Sequence, residues 1–197
     1  VYRQHNLTKE ALQKYLDNTF LTRTEANVEI IADFVKKGLV YQPSYRTKFY
    51  GKYTLKNTLT EDSFVKFEFP FPVNSQNTEI SNARLIVNGV EITDAKSRIN
   101  PVALSTDYYP SDSDGLKWEG KIPKNQDSAI EVSYDTVGLS IFNYEGLENS
   151  KKAQDLQFTL TITGTRSYNV TGGLSVDKRE FGANYVKLFW NKQNLYS

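Results

Sequence analysis

Between Val65 and Phe71 the chain reads Val-Lys-Phe-Glu-Phe-Pro-Phe, with an apolar or aromatic residue at every second position. Successive side chains of a β-strand point to opposite sides of the pleat, so this alternation is typical of a strand with one buried face. Pro70 and Pro72 place it at a sheet edge or a strand end, because proline cannot donate to a ladder. The segment therefore predicts a strand that contributes aromatic rings to a core.

Similar patterns recur along the chain and predict a mainly β, antiparallel sandwich-like domain. The strongest turn signal is Asn88-Gly89, a dipeptide that accepts the positive φ angles of a type I′ hairpin turn. The strands are expected at Tyr45–Asn57, Val65–Phe71, Arg84–Val87, Val90–Thr93, Leu116–Ile122, Ala129–Tyr134, Leu139–Tyr144, Leu156–Thr163 and Tyr185–Trp190. On the first of these, one face is expected to carry Tyr45, Thr47, Phe49, Gly51, Tyr53 and Leu55.

The first forty residues follow a helical period instead. Thr22 with Glu25 fits a capping box, and Gly38 after two lysines fits a helix C-terminus. We therefore expect residues 1–40 to form an N-terminal helical segment packed on a β domain of residues 41–197. The apolar residues at helical spacing are Leu7, Ala11, Leu12, Tyr15 and Leu16 in a first helix, and Val28, Ile31, Ala32 and Val35 in a second.

Composition narrows the function classes. The 197 residues carry 24 basic and 23 acidic side chains, a net charge of +1, which argues against a nucleic-acid partner. Cysteine is absent, which excludes disulfides and thiolate metal sites. No apolar run is long enough to span a bilayer. With no methionine and Val1 as its first residue, the chain is expected to come from a longer protein, with any membrane anchor outside it.

Catalytic and metal-binding patterns are weak, so we expect no enzyme activity, no cofactor and no metal. His5 is the single histidine and lies near a terminus, which disfavours a histidine-activated nucleophile. Asp112–Gly115 resembles a calcium loop, but Pro110 and Lys121 stand where oxygen ligands are required, so a turn is favoured. The carboxylates that could supply a glycosidase pair are Glu68, Glu131, Asp135, Glu145 and Glu148; Glu68 and Glu131 alternate with apolar residues, as solvent-facing strand positions do.

Tyrosine and tryptophan leave one binding hypothesis open. The chain has 13 Tyr and 2 Trp, more large aromatic rings than one core face would take. Exposed rings stack on sugars or anchor a protein partner, whereas buried rings complete a core, and the sequence favours the second interpretation. The candidate ligand-contact residues are Tyr108, Tyr109, Trp118 and Trp190.

An ordered set of short motifs resembles a known family. Lys36–Tyr41 leads into Phe49-Tyr50-Gly51-Lys52-Tyr53-Thr54, Phe69-Pro70-Phe71-Pro72 follows, and Asn194-Leu195-Tyr196-Ser197 ends the chain. Tyr134, Gly138-Leu139 and Trp190-Asn191 lie between them. Over residues 36–197 this order resembles the extracytoplasmic domain of CreD-type inner-membrane proteins, which are associated with envelope integrity in bacteria. The resemblance implies a domain held between transmembrane segments, and it supplies no catalytic residues.

These observations favour a non-enzymatic extracytoplasmic domain of a bacterial inner-membrane protein. It would be anchored by flanking segments and act by binding or sensing other envelope or membrane components. Two alternatives remain at this point. One is a carbohydrate-binding module that uses exposed Tyr and Trp, and the other is a structural or adhesive subunit that pairs through an open sheet edge.

Overall fold

The computed structural model describes residues 19–71, 78–93, 95, 115–139, 142, 154–171 and 174–194, with side chains from residue 21 onward. This part of the chain is built from strands. They are β1 (Thr19–Lys37), β2 (Val40–Asn57), β3 (Ser63–Pro70), β4 (Glu79–Val87), β5 (Val90–Glu91), β6 (Gly115–Ile122), β7 (Asp127–Leu139), β8 (Asp155–Thr163), β9 (Lys178–Phe181) and β10 (Tyr185–Lys192).

Eight strands form one large mixed sheet in the order β5-β4-β7-β2-β1-β8-β10-β9, and β3 pairs with β6 in a second sheet. β1 and β2 lie at the centre of the large sheet and form a hairpin that pairs from Thr19↔Asn57 to Lys37↔Val40. Within the large sheet, β1 and β8 run parallel, from Arg23↔Asp155 to Ile31↔Thr163, while the other pairs are antiparallel. The expectation of a mainly β domain is confirmed, but its sheet is mixed rather than antiparallel.

The helix expected between Thr22 and Lys37 is wrong, because these residues belong to strand β1. The burial of side chains on β1 follows a period of two. Thr24, Ala26 and Val28 are buried on one face of the strand, and Ile30 and Ala32 on the same face are half-buried. Thr22 does not cap a helix; its hydroxyl donates to the carbonyl of Thr54 on β2. The earlier helix, residues 7–16, lies outside the described residues.

The other strand predictions are largely confirmed. All six residues expected on one face of β2 are buried, from Tyr45 to Leu55. Asn88 and Gly89 form the β4–β5 turn with φ angles of 50° and 81°. The Asn88 side chain also accepts a hydrogen bond from the Ala129 amide of β7, at 2.9 Å. β7 runs without a break from Asp127 to Leu139, so Leu139 ends this strand rather than starting the separate one expected at Leu139–Tyr144, of which Phe142, the other described residue, is not in a strand. β5 is limited to Val90–Glu91, and β9 was not anticipated.

An aromatic cluster joins the two sheets and gives the domain its sandwich character. Phe69 of β3 approaches Phe49 of β2, with ring centroids 5.2 Å apart, and Tyr134 of β7, at 5.9 Å. Phe49 and Tyr134 stack across the β2–β7 ladder at 4.8 Å, and Phe71 meets Tyr134 edge-on at 5.3 Å. Such offset and edge-to-face pairs stabilise a core beyond their buried area.

Two glycines allow rings to lie flat against the backbone. A Cβ at Gly138 of β7 would overlap the ring of Tyr45, its cross-strand partner on β2. A Cβ at Gly120 of β6 would overlap the indole of Trp118. Glycine is therefore required at both positions for close ring approach.

Among the residues that the structure describes, there is no helix with the length and hydropathy needed to cross a membrane.

The aromatic cluster predicts unequal costs for two phenylalanines of β3. Phe69→Ala removes a buried ring that contacts Phe49, Tyr53, Phe71 and Tyr134. We expect it to lower the free energy of unfolding by about 3–5 kcal/mol, measured by urea denaturation. Phe64→Ala, at an exposed position of the same strand, is the control and is expected to cost less than about 1 kcal/mol. Equal losses would show that the two sheets do not pack through Phe69.

Candidate functional site

The most distinctive surface is the end of the β1–β2 hairpin. The ladder between β1 and β8 stops at Ile31, and the ladder between β2 and β7 stops at Ser44. Beyond these points, within the described part of the chain, residues 34–43 pair only with each other as a two-stranded ribbon. Gly38 and Leu39 close it in a tight turn, with Gly38 at φ 66°, which glycine adopts without steric cost. We call residues 34–43 the hairpin tip.

The hairpin tip is apolar and exposed. Leu39 at the turn is 96% exposed, and Phe34 and Tyr41 are each about two-thirds exposed. Val35 and Val40 are also exposed, as is Ile31 just below the tip. Isolated exposed apolar residues are normal on a protein surface, whereas a contiguous group marks an interaction site. The sequence contained this signal, because Phe34-Val35 and Leu39-Val40-Tyr41 break the period-two alternation of their strands.

The charged side chains on the hairpin tip are positive. Lys36 and Lys37 are its only charged residues, and the Lys36 ammonium lies 6.0 Å from the centre of the Tyr41 ring. The nearest acid along the chain is Asp33, which lies 4.0 Å from Arg46 and accepts a hydrogen bond from the Phe34 amide at 2.8 Å. The tip therefore combines exposed apolar side chains with two ammonium groups.

Of the four aromatic residues proposed from the sequence, the structure describes Trp118 and Trp190, and only Trp118 is partly exposed. Trp190 is 3% exposed; its ring meets Phe158 edge-on at 5.1 Å, and its indole N–H donates to the Leu174 carbonyl. Trp118 is half-buried against the core. Trp190 is thus a core residue, which corrects its assignment as a contact residue. Tyr108 and Tyr109 lie outside the described residues.

The candidate carboxylates are separated or already paired. Glu68 faces away from the core on β3, where Lys66, at 2.9 Å, holds the pKa of its carboxyl below the usual value. Glu131 lies on the opposite outer surface, on β7, and accepts a hydrogen bond from Tyr50, whose pKa is raised by burial and by this carboxylate. The carboxylate of Asp135, also on β7, accepts a hydrogen bond from the side-chain amide of Asn82. Both sheets lie between Glu68 and Glu131, so these two cannot act together.

The remaining candidates from the sequence lie largely outside the described residues. These are His5, Glu145, Glu148 and most of Asp112–Gly115, of which Gly115 alone is described and begins β6. Among the described residues, no group of three or more potential ligands is placed to hold a metal ion.

A cleft of about 360 Å³ lies beside β4, β5 and β6. Its charged residues, Arg84 and Glu91, form a two-pronged ion pair with distances of 3.0 and 2.8 Å. Ligand pockets rely on a few polar groups that converge on the ligand. Because these two groups already satisfy each other, the cleft is a poorer candidate than the hairpin tip.

No protein-family model and no curated protein matches the sequence. The fold is similar to the crystal structure of a "putative nutrient binding protein" from Legionella pneumophila, with a TM-score of 0.53 and 16% identity over 90% of this chain. An M1 zinc metallopeptidase from Deinococcus radiodurans aligns over 89% of this chain, with a TM-score of 0.43 and 8% identity. The chain spans 63% and 39% of these two proteins, respectively. What the Legionella protein shares with this chain is the fold.

The exposure of the hairpin tip predicts that its apolar residues do little for stability. The double substitution Phe34→Ser with Leu39→Ser is expected to change the free energy of unfolding by less than about 1 kcal/mol, because neither side chain is buried. Val28→Ser, at a buried position of the same strand, is the control and is expected to cost about 2 kcal/mol or more. Urea denaturation measures both, and a double variant as unstable as the control would mean that the tip packs on the domain.

Proposed function

We propose that this chain is a non-catalytic binding domain that lies on the extracytoplasmic side of a bacterial inner membrane and binds through its hairpin tip. The observation that carries the binding role is the group of exposed apolar side chains around Leu39, on a ribbon that extends beyond its neighbouring strands. The location rests on the sequence resemblance to CreD-type proteins. A binding role also agrees with the fold shared with a protein described as nutrient-binding.

The positions of β1 and β10, the first and last strands that the structure describes, support anchoring by flanking segments. Lys192 near the end of β10 pairs with Leu156 of β8, and Leu156 pairs with Thr24 near the start of β1. The described chain therefore enters and leaves at the same end of the large sheet. At about 3.3 Å per residue, the hairpin tip lies roughly 40 Å from that end. Flanking segments at the shared end would hold the domain and leave the tip free to bind.

The alternative functions receive less support. A sugar-stacking surface loses Trp190, which is buried, and Trp118 is only partly accessible because it packs against the core. An edge-pairing subunit needs long open edges. The edge strands of the large sheet are short, two residues in β5 and four in β9, and β9 carries Lys178, Arg179 and Glu180. In the large sheet, short and charged edges therefore disfavour pairing with another chain.

The absence of cysteine from these 197 residues makes the location testable in a full-length parent protein in which any cysteine outside them is replaced by serine. We expect Leu39→Cys to react with a membrane-impermeant maleimide in cells whose outer barrier is opened and whose inner membrane is intact. Ala26→Cys, at a buried position, is the matched control and is expected to react only after denaturation. Reaction of Leu39→Cys only after inner-membrane lysis would contradict the extracytoplasmic location.

The binding role predicts a position-specific loss of function. In a strain that lacks the parent protein, we expect a Leu39→Asp copy to fail to restore growth under envelope stress, since the charge disrupts the apolar tip. A Val90→Asp copy is the control, because Val90 is 64% exposed beside the turn at the opposite end of the sheet. It is expected to restore growth. If both copies restore growth at matched protein levels, the hairpin tip is not the functional surface.

A further inference from the structure

Both faces of the hairpin tip carry exposed apolar side chains. This restricts the kind of partner that can cover the tip. By register, Phe34 and Tyr41 lie on the face that continues the buried side of the sheet, whereas Val35 and Val40 lie on the opposite face. Leu39 projects from the turn between them. A flat protein surface would cover one face and leave the other in water. A lipid interface surrounds an inserted ribbon and covers both faces at once.

The polar groups of the hairpin tip suit the same environment. Lysine side chains keep their ammonium groups at the headgroup level while their methylene stems lie along apolar surface. Tyrosine is enriched at the membrane interface, where one end of the ring is apolar and the other is hydrated. The tip contains Lys36, Lys37 and Tyr41, and no acidic residue occurs from 34 to 43. Its charge is therefore complementary to anionic headgroups.

We propose that the hairpin tip inserts into the interface of a bilayer that contains anionic lipids. Leu39 enters deepest, Phe34, Val35, Val40 and Tyr41 lie around it, and the ammonium groups of Lys36 and Lys37 contact headgroup phosphates. This inference rests on the proposed function for the tip as the binding surface, but not on the cellular location.

Co-sedimentation with vesicles tests the insertion. The domain of residues 1–197 is expected to bind vesicles of phosphatidylcholine with phosphatidylglycerol more tightly than vesicles of phosphatidylcholine alone, and less tightly at high salt. Leu39→Asp is expected to weaken binding at least tenfold, while Val90→Asp leaves it unchanged. The pair Lys36→Gln and Lys37→Gln is expected to weaken binding at least tenfold and to remove most of its salt dependence.

Tryptophan emission reports whether the tip enters the lipid. After subtraction of the emission of the unsubstituted domain, which contains Trp118 and Trp190, Leu39→Trp is expected to show a blue shift with phosphatidylglycerol vesicles, and Val90→Trp is expected to show none. Failure of the unsubstituted domain to bind these vesicles, or equal weakening by Leu39→Asp and Val90→Asp, overturns the lipid inference. If vesicle binding fails while Leu39→Asp still abolishes function in cells, the lipid inference is wrong and the proposed binding role remains, with a protein as the occupant of the tip.

Discussion

The antiparallel pairing of β1 with β2 is the interaction on which the rest of the structure depends. These strands lie side by side at the centre of the eight-stranded sheet, so β7, β4 and β5 extend from β2, and β8, β10 and β9 extend from β1. The ladder also continues past its neighbours, which creates the hairpin tip. One long hairpin thus organises the core at one end and presents the candidate binding surface at the other.

Aromatic contacts fasten the second sheet to this hairpin. Phe49 of β2 takes part in both the stacked pair with Tyr134 and the contact with Phe69 of β3. The inner face of β2 is therefore covered by the core from Tyr45 to Leu55, while none of the described residues buries the tip. The apolar side chains of β1 and β2 therefore fall into two groups. Those in the core stabilise the fold, and those at the tip are exposed and available to a partner.

The alternation of polar and apolar residues correctly predicted the strands that have one polar and one apolar face. On β2, for example, lysines alternate with the buried residues that begin at Tyr45. The pattern failed on β1, because Ile31 and Val35 are apolar residues on the outer face, and with Val28 and Ala32 they imitate a helical stripe. The residues that misled the interpretation are those that the fold leaves exposed at or near the tip. The parallel β1–β8 pair joins segments over 120 residues apart and leaves no local signal. The burial of Trp190 likewise leaves no local signal, because its ring packs against Phe158 of β8 and its indole N–H donates to the Leu174 carbonyl.

The register of β1 on β2 is the most direct test of this account, and the lack of cysteine allows it to be measured by cross-linking. Glu29 and Lys48 are exposed and directly opposite each other, whereas Lys52 is opposite Glu25. In this register, the pair Glu29→Cys with Lys48→Cys is expected to form a disulfide on mild oxidation of the folded domain, and Glu29→Cys with Lys52→Cys is not. Equal yields from the two pairs, or no disulfide from the first, would contradict the central hairpin.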